Sequence, residues 1–205
     1  MKAPLKEQRS VSPAIPLLWL GLAVWGSFAM MSYSNKPGPA GVPPARWPVA
    51  SQVPRPPHCP TLIMFVQPNC PCSKASVGEL SVLMAHCGGR VNARVLFLKP
   101  NSHSTNSVLT GLWRQAAAIP GVTVGLDRAG HEARLFGAQT SGEVVLYDAE
   151  GRLRFEGGVT LSRGHPGSNP GRGALEDLLH DKPAPVTQTP VFGCRLFDFE
   201  ATARN

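Results

Sequence analysis

The chain has 205 residues, 42% of them apolar and 16% charged, a globular composition that excludes a wholly disordered or fibrous protein. Its 21 prolines and net charge of +7 are unevenly spread, because residues 1–60 hold twelve prolines, six Lys/Arg and one acid, Glu7. Residues 61–205 carry 14 basic against 12 acidic residues, so the segment long enough to bury a core is nearly neutral and no nucleic-acid partner is expected.

Residues 1–12 read as a cytoplasmic N-terminus and 13–33 as a membrane span. Between Arg9 and Lys36 lie 26 residues without a charge, centred on AIPLLWLGLAVWGSFAMMSY. A run of this length matches the hydrocarbon core of a bilayer, roughly 30 Å at 1.5 Å per helical residue. Lys2, Lys6 and Arg9 precede it and only Lys36 follows closely, which by the positive-inside bias exports everything after it. The expected location is therefore a single-pass cell-membrane protein with its domain on the periplasmic or extracellular side. A cleaved signal peptide is the alternative, since Ser27-Phe28-Ala29 offers small residues at a suitable spacing. Both readings export the same domain.

Residues 34–58 read as a linker. Nine prolines fall between Asn35 and Pro60, leaving few backbone donors and few large apolar side chains. An extended, semi-rigid tether is expected, reaching up to roughly 80 Å at about 3.1 Å per residue.

Beyond it, Thr61–Val66 is an apolar run suited to a buried strand. A helix is expected from Cys72 to about Ala85, ended by Gly88-Gly89, and then a second strand over Val91–Leu98. Ser107–Ile119 has a helical pattern, Val122–Leu126 reads as a third strand and Gly130–Phe136 as a brief helix. Glu143–Asp148 and Arg152–Glu156 bracket Ala149-Glu150-Gly151 as a hairpin. The second of these strands alternates Leu153 and Phe155 with charged residues, the pattern of an exposed edge. Gly171–Asp181 is a last helix, followed by an irregular tail through Gly193 and Cys194.

A buried strand that ends in a cysteine pair opening a helix, followed by strand, helix and closing hairpin, resembles the thioredoxin fold. LIMFVQPNCPCSKASVGEL and VTVGLDRAGHEARLFGAQTSGEVVLYDAEGRLRFEGG resemble the exported, membrane-tethered TlpA-like thioredoxins. The CPC segment and the later GGVT and SRGH segments look closest to the RedB-labelled group. The resemblance implies a thioredoxin-like α/β domain, a three-layer α/β/α sandwich over about residues 59–195, with 196–205 as a C-terminal tail. It also implies thiol–disulfide chemistry on protein thiols or disulfides outside the cytoplasm, with no cofactor.

The candidate chemistry lies in Cys70-Pro71-Cys72. A helix N-terminus supplies free N–H groups and the positive end of the dipole, which stabilise a thiolate nucleophile. The family spacing has two residues between the cysteines. Held in the family's register, Cys70 takes the nucleophile's position, Ser73 takes that of the second cysteine, and Cys72 is an extra thiol between them. A Cys70–Cys72 disulfide would close a small strained ring around a proline. Two close thiolates also suit a soft ion, so copper(I) on Cys70, Cys72 and His165 is the alternative to redox work. Two inert cysteines forming a structural clip is the bland reading, set against the exposed position expected of a strand-to-helix turn. The family's substrate-docking proline before the hairpin is absent, since that place reads Gln139-Thr140-Ser141-Gly142. A final strand parallel to the first would bring Arg163 and His165 to the cysteine edge, the one to favour a thiolate and the other as base, hydrogen-bond partner or ligand. Cys194 in the tail is a candidate resolving thiol or third sulfur. Cys59 and Cys87 are candidates for mutual pairing, with Cys87 otherwise a core residue.

Overall fold

The computed structural model describes residues 14–197, so the expectations for residues 1–12 and for most of the tail lie outside the described residues. Two compact units divide the chain after Ser34. The first contains α1, Ala14–Ser34, a 21-residue helix with no buried residue. With a mean hydropathy of 1.7, it is long and apolar enough to cross a membrane.

The second unit is built on β1 (Thr61–Val66), α2 (Ser73–Cys87), β2 (Asn92–Lys99), α3 (Gly111–Ala117), β3 (Val122–Arg128), α4 (His131–Leu135), β4 (Glu143–Tyr147), β5 (Leu153–Gly157) and α5 (Pro170–Leu179). The sheet order is β3-β2-β1-β4-β5. β1, β2 and β3 are parallel, β4 runs against β1, and β5 runs against β4 and hence along β1. This order and direction are those of a thioredoxin-like α/β/α sandwich.

The strand pattern sets the layers. β1 is buried at every position and alternates its side chains between the two faces. Leu62, Met64 and Val66 join a core with Val77, Leu80 and Leu83 of α2, Ala116 of α3, and Ala174, Leu175 and Leu179 of α5. Ile63 and Phe65 join a second core with Ala133, Phe136, Val145 and Tyr147. Since α4 is short, that second face needs further cover.

The proline-rich segment supplies it, and this corrects the expectation of an extended tether. Trp47 stands edge-on to Phe136 at 4.9 Å and to Tyr147 at 5.4 Å, and Val53 is buried beside them. Val42 N–H donates to Gly137 O at 3.1 Å, Trp47 N–H to Gly151 O at 2.8 Å, and the Tyr147 hydroxyl to Pro44 O at 2.8 Å. Prolines lack donors but keep their carbonyls and ring faces, so the segment accepts at Pro44 O and donates through its non-proline residues Val42 and Trp47. Gly137 permits the approach, since a Cβ there would come within 2.2 Å of Val42 O.

The edge of β5 is covered as well, against expectation. Leu153 N–H donates to Ala45 O at one end, while Glu156 exchanges hydrogen bonds with Thr187 and Thr189 at the other. An unpaired edge leaves orphan backbone groups, and here two distant segments satisfy them. The third helix starts later than its periodicity suggests. Thr105–Ser107 is an isolated 3₁₀ turn, and α3 begins after Thr110, whose side chain accepts from Trp113 N–H.

Candidate functional site

The Cys-Pro-Cys turn joins β1 to α2. Ser73 N–H donates to Cys70 O at 3.2 Å and Ala75 N–H to Cys72 O at 3.1 Å, so the cysteines lie in the turn that leads into the helix, with Cys72 at its N-cap. Both are buried, Cys70 at 2% and Cys72 at 8% exposure, which corrects the exposed position expected of such a turn. The cover is the tail of the chain. Cys70 still borders a groove of about 440 Å³ lined by Pro68, Asn69, Pro71, Lys74 and the start of α3.

The structure brings three sulfurs together. The Sγ atoms of Cys70, Cys72 and Cys194 all lie within 4.8 Å of one another, and those of Cys70 and Cys194 are 3.1 Å apart. All three cysteines are free. The tail reaches the site by pairing with residues 139–141: Ser141 N–H donates to Cys194 O at 2.8 Å, and Leu196 N–H to Gln139 O at 2.9 Å. Gly193 makes this possible, because a Cβ there would come within 1.9 Å of Ser141 O.

Electrostatics separate the three thiols. Burial pushes the Cys70 pKa up, but hydrogen bonds from the Ser73 hydroxyl, the Cys194 thiol and the backbone N–H groups of Cys194 and Ser73 outweigh it, and the net shift is downward. Burial raises Cys72, as does the neighbouring Cys70 charge, while Arg163 opposes both. Cys194 is pushed up to about 12 by burial, by its hydrogen bond to Cys70, and by the charges of Cys70 and Cys72. Cys70 is therefore the most readily ionised of the three thiols, and the other two ionise only after it.

Ser73 is fully buried, and its Oγ lies 2.7 Å from Ser141 Oγ. Gln67 N–H donates to Ser141 Oγ at 2.7 Å. With the Ser73 proton directed at Cys70, the Ser141 hydroxyl donates to Ser73, and a relay of donors runs from Gln67 to the thiolate. Sequence reasoning missed Ser141. The signal was present in Gln139-Thr140-Ser141-Gly142, where a small hydroxyl residue lies just before β4.

Arg163 reaches the site as expected. Its Nη1 donates to Gly193 O at 2.6 Å and its Nε to Lys36 O at 3.1 Å, and its charge acts on Cys72 and Cys194. His165 does not join the sulfur cluster. It is exposed, with Nδ1 2.8 Å from Arg163 O, and Cys194 takes the third position proposed for it. Neither remaining cysteine shares the site, and no bond joins them to each other: Cys87 is buried in the core with Sγ 3.8 Å from His180 Nδ1, and Cys59 Sγ is 3.5 Å from Pro60 O.

Glu143 holds the segment opposite the cysteines. Its Oε2 accepts from Gln139 N–H at 2.9 Å and Thr140 N–H at 3.1 Å. Burial, opposed by those two donors and reinforced by Glu156, pushes its pKa from 4.5 to about 7. The folded state then holds a proton that the unfolded state releases between these values, so this group's contribution to stability falls as pH rises through that window. Glu143→Gln keeps an acceptor without the charge. In pH-dependent denaturation its stability relative to wild type should gain nothing near pH 4, rise through the window and level off above pH 7 at roughly 3 kcal/mol. A difference independent of pH would contradict the buried-carboxyl account.

No protein-family model and no curated protein matches the chain. Among solved structures, an uncharacterised conserved protein from Geobacillus kaustophilus superposes with a TM-score of 0.57 at 20% identity, covering 79% of this chain and 92% of that one. A hypothetical protein from Sinorhizobium meliloti gives 0.53 at 20% identity over 80% and 94%. A secreted Mycobacterium tuberculosis disulfide oxidoreductase homologous to DsbE gives 0.44 at 15% identity over 61% and 83%. These likenesses concern the fold alone.

Proposed function

We propose that the protein is a membrane-anchored, extracytoplasmic thiol–disulfide oxidoreductase of the exported TlpA-like, RedB-labelled kind. Cys70 is its nucleophile, and Cys72 is the second thiol of the Cys-Pro-Cys site. The observation that carries this reading is a Cys70 sulfur at the start of α2 whose four donors favour its thiolate, with the Cys194 sulfur 3.1 Å away. Such a thiolate attacks one sulfur of a protein disulfide and forms a mixed disulfide, which a second thiol then releases. The groove beside Cys70 gives the substrate an approach, and α1 supplies the membrane anchor. The test uses the reduced full-length chain in detergent with oxidised glutathione. Release of glutathione faster than from free cysteine at the same pH is expected, and a rate equal to free cysteine would overturn the reading.

Three sulfurs within 4.8 Å of one another favour one second reading, a copper(I)-carrying chaperone or assembly factor. Thiolates are soft donors and suit that ion. Cys70, Cys72 and Cys194 would hold it in place of the set that included His165. Anaerobic copper(I) titration against a competing chelator decides this, since failure to retain one equivalent removes it.

A further inference from the structure

Resting on the oxidoreductase reading, we propose that Cys194, not Cys72, is the resolving cysteine, carried to the nucleophile by a tail that lies where a substrate polypeptide would pair. Three observations converge. The Cys70 and Cys194 sulfurs are 3.1 Å apart, close enough for direct transfer from thiol to sulfur. The backbone of Cys194 and Leu196 hydrogen-bonds to Ser141 and Gln139, with Thr140 and Arg195 paired antiparallel between them. That pairing presents a cysteine-bearing strand to the thiolate and covers it, which accounts for the burial of Cys70. Closing a bond to Cys72 instead would require a ring around Pro71 within the first turn of α2.

The charges order the steps. While Cys70 is a thiolate, its charge and the hydrogen bond it accepts hold the Cys194 proton in place. Attack by Cys70 on a substrate disulfide forms a Cys70–substrate bond as the substrate's sulfur–sulfur bond breaks, and the departing sulfur leaves as thiolate. The negative charge on Cys70 is then gone, and with it a major restraint on the Cys194 proton. Arg163, held against Gly193, favours the anion that remains. Cys194 attacks Cys70 Sγ, the Cys70–Cys194 bond forms, and the second substrate sulfur leaves with the proton that Cys194 gives up. Two cysteines lose two electrons and the substrate disulfide gains them.

The test is a single turnover of the reduced full-length chain with one equivalent of oxidised glutathione, quenched by alkylation and mapped by peptide mass spectrometry. Wild type should end with a Cys70–Cys194 disulfide and Cys72 alkylated. In Cys194→Ser the Cys70–glutathione mixed disulfide should persist at least about tenfold longer, whereas Cys72→Ser should still close Cys70–Cys194. A wild-type Cys70–Cys72 bond, or trapping of the mixed disulfide in Cys72→Ser instead of Cys194→Ser, would overturn the assignment and leave the oxidoreductase reading standing. Cys70 left fully reduced, in neither a mixed nor an internal disulfide, in all three proteins would overturn both.

Discussion

Replacing Cys70 with serine should reduce the reaction with oxidised glutathione to the uncatalysed rate, a loss on the order of a hundredfold or more. The hydroxyl that takes its place does not ionise near neutral pH, so the donors arranged around the sulfur have no anion to stabilise. The remaining thiols do not replace it, because burial is the leading cause of the upward shift at both Cys72 and Cys194. Neither is approached by the Ser73–Ser141 relay, which ends on position 70. Glutathione release would be followed at fixed pH for both proteins, with circular dichroism to establish that the variant is folded. A variant retaining most of the wild-type rate would place the nucleophile elsewhere.

Glu79→Ala should cost about 3–5 kcal/mol of stability, because it strips a buried charge network of its centre. Glu79, at 3% exposure, projects from α2 and accepts from Gly167 N–H at 2.6 Å, Asn169 Nδ2 at 3.2 Å and Arg172 Nη1 at 2.6 Å. Its loss leaves a largely buried guanidinium with only Glu176, at 3.3 Å, and strands the donors that shape the entrance to α5. The network ties the helix that follows Cys70 and Cys72 to the loop that carries Arg163. For a domain of this size the midpoint of thermal unfolding should fall by about 10 °C. Urea denaturation gives the free energy directly, and a loss below about 1 kcal/mol would show that solvent takes over the Glu79 contacts.

What could be read from the sequence was whatever depends on neighbours in the chain. β1, the Cys-Pro-Cys turn, α2 and the β4–β5 hairpin follow from apolar runs and turn residues lying within a few positions of one another. The argument that β5 runs along β1 brought the loop after it to the cysteine edge, and Arg163 does arrive there. His165, placed at the same edge by that reasoning, does not join the three sulfurs, because the turn paired between Ser162 and His165 directs it back to Arg163 O.

The rest depends on contacts between distant residues, which local composition does not encode. Cys70 and Cys194 are separated by 124 positions, and the Tyr147–Pro44 bond spans 103. Composition distinguishes a proline-rich segment from a core, but not a free tether from a strap. That choice turns on whether a sheet face elsewhere lacks cover, as the one carrying Phe136 and Tyr147 does without Trp47. The burial of the cysteines was missed for the same reason, since nothing local in residues 191–197 signals the distant residues they lie against.

The central claim is that Cys70 is the stabilised thiolate among the three sulfurs. The direct measurement is the pH dependence of alkylation at each cysteine of the reduced full-length chain, read by peptide mass spectrometry under limiting reagent. The account predicts that Cys70 is labelled first and that its rate has a midpoint below the ordinary thiol value of about 8.5, with Cys72 and Cys194 reacting only at higher pH. Labelling of Cys72 or Cys194 ahead of Cys70, or a Cys70 midpoint at or above the ordinary value, would contradict it.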